Sequence, residues 1–193
     1  MIILLESLNS TVEQQSHEEE IKAQKRIPAW LELVFTILIA VVIALCVRMF
    51  VFEITRVDGP SMQPTLYTDE QILVNKLAYA FGGTPERMDI IICRYPDSDA
   101  HYVKRVVGLP GETVSVSQGG VYIDGKPLEN DTNNEPMIDT MEPFLVPEGY
   151  VFVMGDNRND SLDSRQKGPV PLSRVIGRAT AVVWPLNELE WLG

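Results

Sequence analysis

Residues 30–52 read WLELVFTILIAVVIALCVRMFVF. Between Glu32 and Arg48 lie fifteen residues, Leu33 to Val47, in which Thr36 is the only polar side chain. As a helix rising 1.5 Å per residue, the 23 residues cover about 30 Å or slightly more, a hydrocarbon core's depth, with Glu32 and Arg48 reaching the interfaces. The alternative is a buried core helix, but a chain of 193 residues has little room to hide a helix that is apolar all round. A cleavable export signal fits poorly, because the segment starts thirty residues in and no small-x-small site follows Phe52. Residues 30–52 are therefore expected to cross a membrane once, between a tail of residues 1–29 and a domain of residues 53–193. Lys22, Lys25 and Arg26 precede the span, and Arg48 and Arg56 follow it. Glu18, Glu19 and Glu20 count little in this balance, so the tail is expected in the cytoplasm, with a helix through Glu18 to Arg26, and the domain on the extracytoplasmic face of the cell membrane.

After Phe52 the pattern changes from continuous apolarity to short runs broken by turn residues. Gln71–Asn75, Asp89–Arg94, Tyr102–Val107 and Thr113–Val116 are rich in β-formers. Val121–Ile123, Asp124-Gly125 and Lys126–Leu128 read as a tight hairpin with a type I′ turn. Tyr150–Met154 and Arg178–Val183 supply late strands, the second stopped by Trp184-Pro185. The stretch 129–147 is polar, acidic and punctuated by proline, and reads as a surface excursion. Many short strands without long amphipathic helices predict a mainly β chain: one N-terminal membrane helix, then an all-β, multi-sheet or barrel-like domain.

Charge narrows the functions. The chain carries 27 acidic and 16 basic residues, a formal net charge of -11, and residues 53–193 hold 21 and 12 of these. Nucleic acid is an unsuitable partner for so acidic a surface, and the plain reading of the acidity is solubility. Cys46 sits in the apolar segment and Cys93 in a strand, so no disulfide is expected. His17 and His101 are far apart and no Cys/His cluster has ligand spacing, so neither a metal nor another cofactor is expected.

Three segments carry possible chemistry. Gly59-Pro60-Ser61-Met62-Gln63-Pro64-Thr65-Leu66 holds Ser61 in a proline-bracketed turn beside the end of the membrane segment. Alone, that is ordinary turn chemistry or a nucleophile. A nucleophile needs a base; His101 has no evident placement near Ser61, which leaves a lysine kept neutral by burial. Lys104 lies in Tyr102-Val103-Lys104-Arg105-Val106-Val107-Gly108-Leu109-Pro110-Gly111-Glu112. Alternation puts Tyr102, Lys104 and Val106 on one face and Val103, Arg105 and Val107 on the other, so each face bears a charge among apolar residues. Lys104 can be a snorkelling side chain, or a desolvated amine with a lowered pKa. Gly155-Asp156-Asn157-Arg158-Asn159-Asp160-Ser161-Leu162-Asp163-Ser164-Arg165 is either a hydrophilic loop or a brace in which Asp163 and Arg165 pair in bidentate fashion.

Taken together, these segments resemble type I signal peptidases, in particular the bacterial Ser–Lys branch with a single anchor. The resemblance runs from the anchor through Trp184-Pro185, and also rests on Asp69 to Lys76 and Arg87-Met88-Asp89-Ile90. It implies a membrane-bound serine endopeptidase, mostly β, that cuts signal peptides from exported preproteins after small residues. Position by position it implies Ser61 as nucleophile, Lys104 as general base, Ser161 as the hydroxyl orienting the lysine, and Asp163 with Arg165 as a supporting salt bridge. Asp156 and Arg158 match the same box with less defined roles. Gly59, Pro60 and Met62 are expected at the oxyanion or substrate side, with Met62 forming a pocket, facing lipid or simply packing. Two departures stand out. Gly59 lacks the hydroxyl some members use as an oxyanion donor, and Asp69-Glu70-Gln71 replaces the more usual Gly-Asp-x, which is expected to be neutral. Exported preproteins and the lipid bilayer are the expected partners. The rivals are a self-cleaving repressor-type Ser–Lys protease, which would need a DNA-binding domain, and a non-catalytic membrane-tethered β module that binds secretory proteins.

Overall fold

The computed structural model describes residues 28–132 and 135–192. The expectations placed on His17 and on Glu18 to Arg26 lie outside the described residues. The chain divides into two units, residues up to Leu45 and residues from Cys46 onward.

Helix α1 spans Ala29–Phe50, and none of its residues is buried, which disposes of the core-helix alternative. Thr36 returns its hydroxyl to the Glu32 carbonyl at 2.8 Å, so even the one polar side chain presents no free donor. The helix ends two residues before the apolar run does. Phe52 already opens strand β1 (Phe52–Arg56).

Among the described residues, eleven further strands follow. They are β2 (Gln71–Asn75), β3 (Ile90–Cys93), β4 (Tyr102–Gly108), β5 (Thr113–Ser117), β6 (Gly120–Ile123) and β7 (Lys126–Pro127), then β8 (Met141–Leu145), β9 (Tyr150–Met154), β10 (Val170–Pro171), β11 (Val175–Trp184) and β12 (Glu190–Trp191). One short helix, α2 (Ser164–Lys167), lies between β9 and β10. The larger sheet runs β1-β2-β11-β3-β4-β9-β10, with β12 on β11, and the smaller runs β7-β6-β5-β8. The β6–β7 turn has Asp124 at φ 49° and Gly125 at φ 77°, the two positive values a type I′ turn requires. The expected excursion needs correction, because Met141–Leu145 is a strand paired with β5.

Three buried clusters hold the sheets. β3 feeds two of them: Ile90 and Ile92 join Val57, Met62, Leu66 and Ile72, whereas Ile91 and Cys93 join Tyr95, Val106, Val151 and Val153. That two-sided burial explains why β3 is a continuous apolar run rather than an alternation. The third cluster, around Val107, Val114, Val116 and Phe152, joins the two sheets. Each such side chain contributes roughly 1.5–3 kcal/mol, so β4, which contributes to two clusters, is a stiff platform. Lys104 stands on it.

Candidate active site

Ser61 sits in a turn pinned from both sides. Gln63 N donates to the Pro60 carbonyl at 3.0 Å and Leu66 N to the Met62 carbonyl at 2.9 Å. Met62 is fully buried in the first cluster, so the lipid-facing reading is overturned and packing is its place. Met62 and Leu66 are anchored in the core, while Ser61 between the turn prolines stays partly exposed. Gly59, at φ +88°, has open space where a Cβ would be.

Lys104 Nζ donates to Ser61 Oγ at 2.7 Å. Lys104 is paired with Ile91 and shares its face with Tyr102 and Val106, and it is only 2% exposed. Burial pushes its pKa below the ordinary lysine value. Asp163 and Asp156 work in the opposite direction without reversing it, and Arg165 adds to the lowering. An amine that sheds its proton more easily than usual, in contact with a hydroxyl, can accept the hydroxyl's proton.

The 155–165 loop packs behind the serine. Asn157 N donates to the Ser61 carbonyl at 3.0 Å and Asn157 Nδ2 to the Pro60 carbonyl at 3.3 Å. A Cβ on Gly155 would overlap the Ser61 carbonyl oxygen and Ser161 Oγ, and would lie 2.7 Å from Ser161 Cβ. Only glycine permits that approach. Ser161 Oγ is buried with no hydrogen-bond partner, so it makes no hydrogen bond with Lys104, the lysine that the resemblance has it orient. The Lys104 nitrogen meets Ser61 instead.

Asp163 caps α2 through a capping box with Gln166 and accepts from Gly155 N at 3.1 Å. Arg165 grips it in bidentate fashion, Nε and one terminal nitrogen each at 2.9 Å, and that terminal nitrogen also reaches the Arg158 carbonyl at 2.6 Å. Arg158 is itself buried and pairs with Asp131 at 2.5 Å. These contacts fix a loop whose composition alone looked hydrophilic.

Asp156 has a sharper role than the sequence suggested. Its carboxylate accepts two bonds from Arg105, at 2.7 and 2.6 Å, one from Thr65 at 2.6 Å and one from Thr132 at 2.9 Å. Burial pushes its pKa up, but Arg105 and the two hydroxyls outweigh this and hold it below the usual carboxylate range. Four segments therefore meet at one side chain: the serine turn, β4, the 155–165 loop and the excursion. Thr65, Arg105 and Asn157 were not singled out from sequence. The available signal was Arg105, a charge on an apolar strand face opposite Lys104.

The other matched segments brace this centre. Arg87 binds the Val107 carbonyl at 2.5 Å and pairs with Glu112, while Asp89 receives Tyr79 Oη at 2.8 Å and Arg178 at 3.0 Å. Asp69 occupies φ 80°, a left-handed conformation that Asp tolerates better than most residues with a side chain. A cleft of about 410 Å³ opens beside the serine turn, lined in part by Gln63, Pro64, Asp156 and Asn157. Among the described residues no cluster of His, Cys, Asp and Glu is arranged to hold a metal.

Comparison with known proteins places relatives beside this geometry. A family model described as "Signal peptidase, peptidase S26" matches residues 30–184. A signal peptidase I from Leptolyngbya laminosa is 41% identical over 171 residues, 84% of each chain. Signal peptidase I T of Bacillus subtilis is 38% identical over 189 residues, 92% of this chain and 97% of the relative. A crystal structure of a signal peptidase I from Enterococcus faecalis is 35% identical and covers 50% of this chain and 97% of its own, with a TM-score of 0.42.

Proposed function

This chain belongs to the signal peptidase family, peptidase S26, and from that premise we propose that Ser61 and Lys104 perform its cleavage of signal peptides from exported preproteins. Ser61 Oγ attacks the carbonyl carbon at the scissile bond while neutral Lys104 takes its proton. Lys104 then protonates the departing amine, leaving an acyl-enzyme on Ser61. Water, deprotonated by the same amine, attacks the ester and releases the signal peptide with a free carboxylate. The observation that carries the reading is the 2.7 Å contact between a buried lysine and the serine hydroxyl.

The oxyanion draws on the Ser61 backbone N–H, with a second donor or water in the space that Gly59 leaves. Ser161 stands next to Gly155 as the nearby hydroxyl, and Asp163 with Arg165 fixes the loop that carries it. The preprotein adds in extended form beside the serine turn, with small side chains at the cut. Helix α1, long and apolar enough to cross a bilayer, holds the domain on the extracytoplasmic face, where the apolar core of a signal peptide is itself embedded. The DNA-binding domain of a self-cleaving repressor has no counterpart among the described residues, and the relatives' activity disfavours a merely binding module.

The test is Ser61→Ala in the full chain, expressed with a preprotein bearing an Ala-x-Ala site. Processing is expected to stop, with the precursor accumulating. Processing at the parental rate would sink the assignment of the nucleophile.

A further inference from the structure

The reach between β2 and β3 holds an aromatic ring that the proposed chemistry does not use. Phe81 is fully exposed (100%), and its φ of 57° lies in the left-handed region that bulky residues avoid. The surrounding turn is nevertheless firmly built. Leu77 N donates to Asn75 Oδ1 at 3.0 Å, Ala80 N to the Leu77 carbonyl at 3.1 Å and Gly83 N to the Ala80 carbonyl at 3.2 Å. Tyr79 Oη binds Asp89 at 2.8 Å, Pro85 is buried, and a Cβ on Gly83 would lie 2.8 Å from the Ala78 carbonyl oxygen. A pinned turn thus presents a phenyl ring to solvent at the expense of backbone strain.

Two further facts say what covers it. Lys76, at the base of the turn, donates its backbone N–H to the Val51 carbonyl at 2.9 Å and its ammonium to the Met49 carbonyl at 3.1 Å, so the turn starts where the apolar helix ends. And residues 77–85 contain no charged side chain, in a chain with 27 acidic and 16 basic residues. An uncharged turn beside the helix exit meets no repulsion from anionic headgroups and leaves no charge to desolvate.

We propose that Phe81 is a lipid-inserting wedge: the 77–84 turn enters the interfacial region of the bilayer and buries the ring among acyl chains. This rests on α1 spanning the membrane. A second contact, one helix exit away from the anchor, restricts rotation and tilt of the domain about α1 and fixes the height of Ser61 above the lipid.

The test labels Thr84→Cys, an exposed neighbour, with an environment-sensitive fluorophore in the full-length protein carrying Cys46→Ser and Cys93→Ala. Vesicles are phosphatidylcholine–phosphatidylglycerol with or without nitroxide on the acyl chains. The residue-84 label should be quenched, Phe81→Asp should remove at least half of that quenching, and a label on Gln118→Cys in the β5–β6 turn should escape it. The same fluorophore on native Cys46, with Cys93→Ala, reports the span. Quenching at Cys46 without quenching at residue 84 overturns the wedge while leaving the span intact; no quenching at either overturns both. Equal quenching at residues 84 and 118, or a residue-84 signal that changes only when a preprotein is added, also overturns the proposal.

Discussion

Lys104→Met removes the proposed base and the buried cation in one step, and the two consequences have opposite signs. Methionine keeps much of the length and flexibility of lysine, so the space at β4 stays filled. The loss of proton transfer should lower the cleavage rate by about 10³–10⁴-fold. Stability should rise. A lysine that is 2% exposed and whose pKa is lowered by burial makes the folded state less favourable wherever the amine is protonated. Replacing it with an apolar side chain should gain about 1–2 kcal/mol, a Tm increase of about 2–8 °C for a chain of this size. The gain depends on pH in a definite direction. It is full below the native pKa of Lys104, shrinks as pH rises through that value, and vanishes above the unfolded value of about 10.4. Preprotein cleavage and calorimetric melting in detergent at several pH values measure both effects. A Lys104→Met enzyme within tenfold of the parent rate, or one melting below the parent at neutral pH, would refute the reasoning.

Three other outcomes are expected. The parent's kcat/KM should rise with pH along a limb whose midpoint lies below the ordinary lysine value of 10.5, because only the neutral amine accepts the serine proton; a midpoint at or above 10.5 would contradict this. Gly155→Ala should cost about 1–3 kcal/mol of stability and roughly 10²-fold in cleavage, read by melting and preprotein turnover, because the added methyl displaces Ser161 and the Ser61 backbone; parental turnover would contradict this. Asp156→Asn should cost about 3 kcal/mol by leaving Arg105 buried without its counter-charge. Since the native Asp156 pKa is lowered, its stabilisation is complete above about pH 4 and is lost as pH falls through the native value, so the variant's acid denaturation curve should be flatter over that window.

The sequence revealed most where one physical signal dominated. Continuous apolarity marked α1, and a strong turn dipeptide marked the β6–β7 hairpin. β8 was hidden because Pro143 breaks its alternation; it is tolerated because β8 is the edge strand of the smaller sheet. β1 was hidden at its start by the apolar run that leads into it. At the site, residue types were legible, but their meeting was not. By strand pattern alone Lys104 is any strand lysine; the resemblance named it as base and the fold shows its burial, whereas Asp156 looked like one of several loop carboxylates. No local pattern could forecast that Arg105, Thr65 and Thr132 converge on it, because each lies on a different segment.

That convergence also bears on when the enzyme switches on. The bonds that close the site span long separations along the chain: 43 residues from Lys104 to Ser61, 91 from Thr65 to Asp156, 51 from Arg105 to Asp156 and 24 from Thr132 to Asp156. Contacts of such high order form late, after the sheets that bring them together. A half-folded domain therefore has Ser61 and Lys104 in separate, unassembled segments. On the proposed Ser61–Lys104 chemistry, the pair that cuts is assembled only when the fold that joins its distant segments is complete.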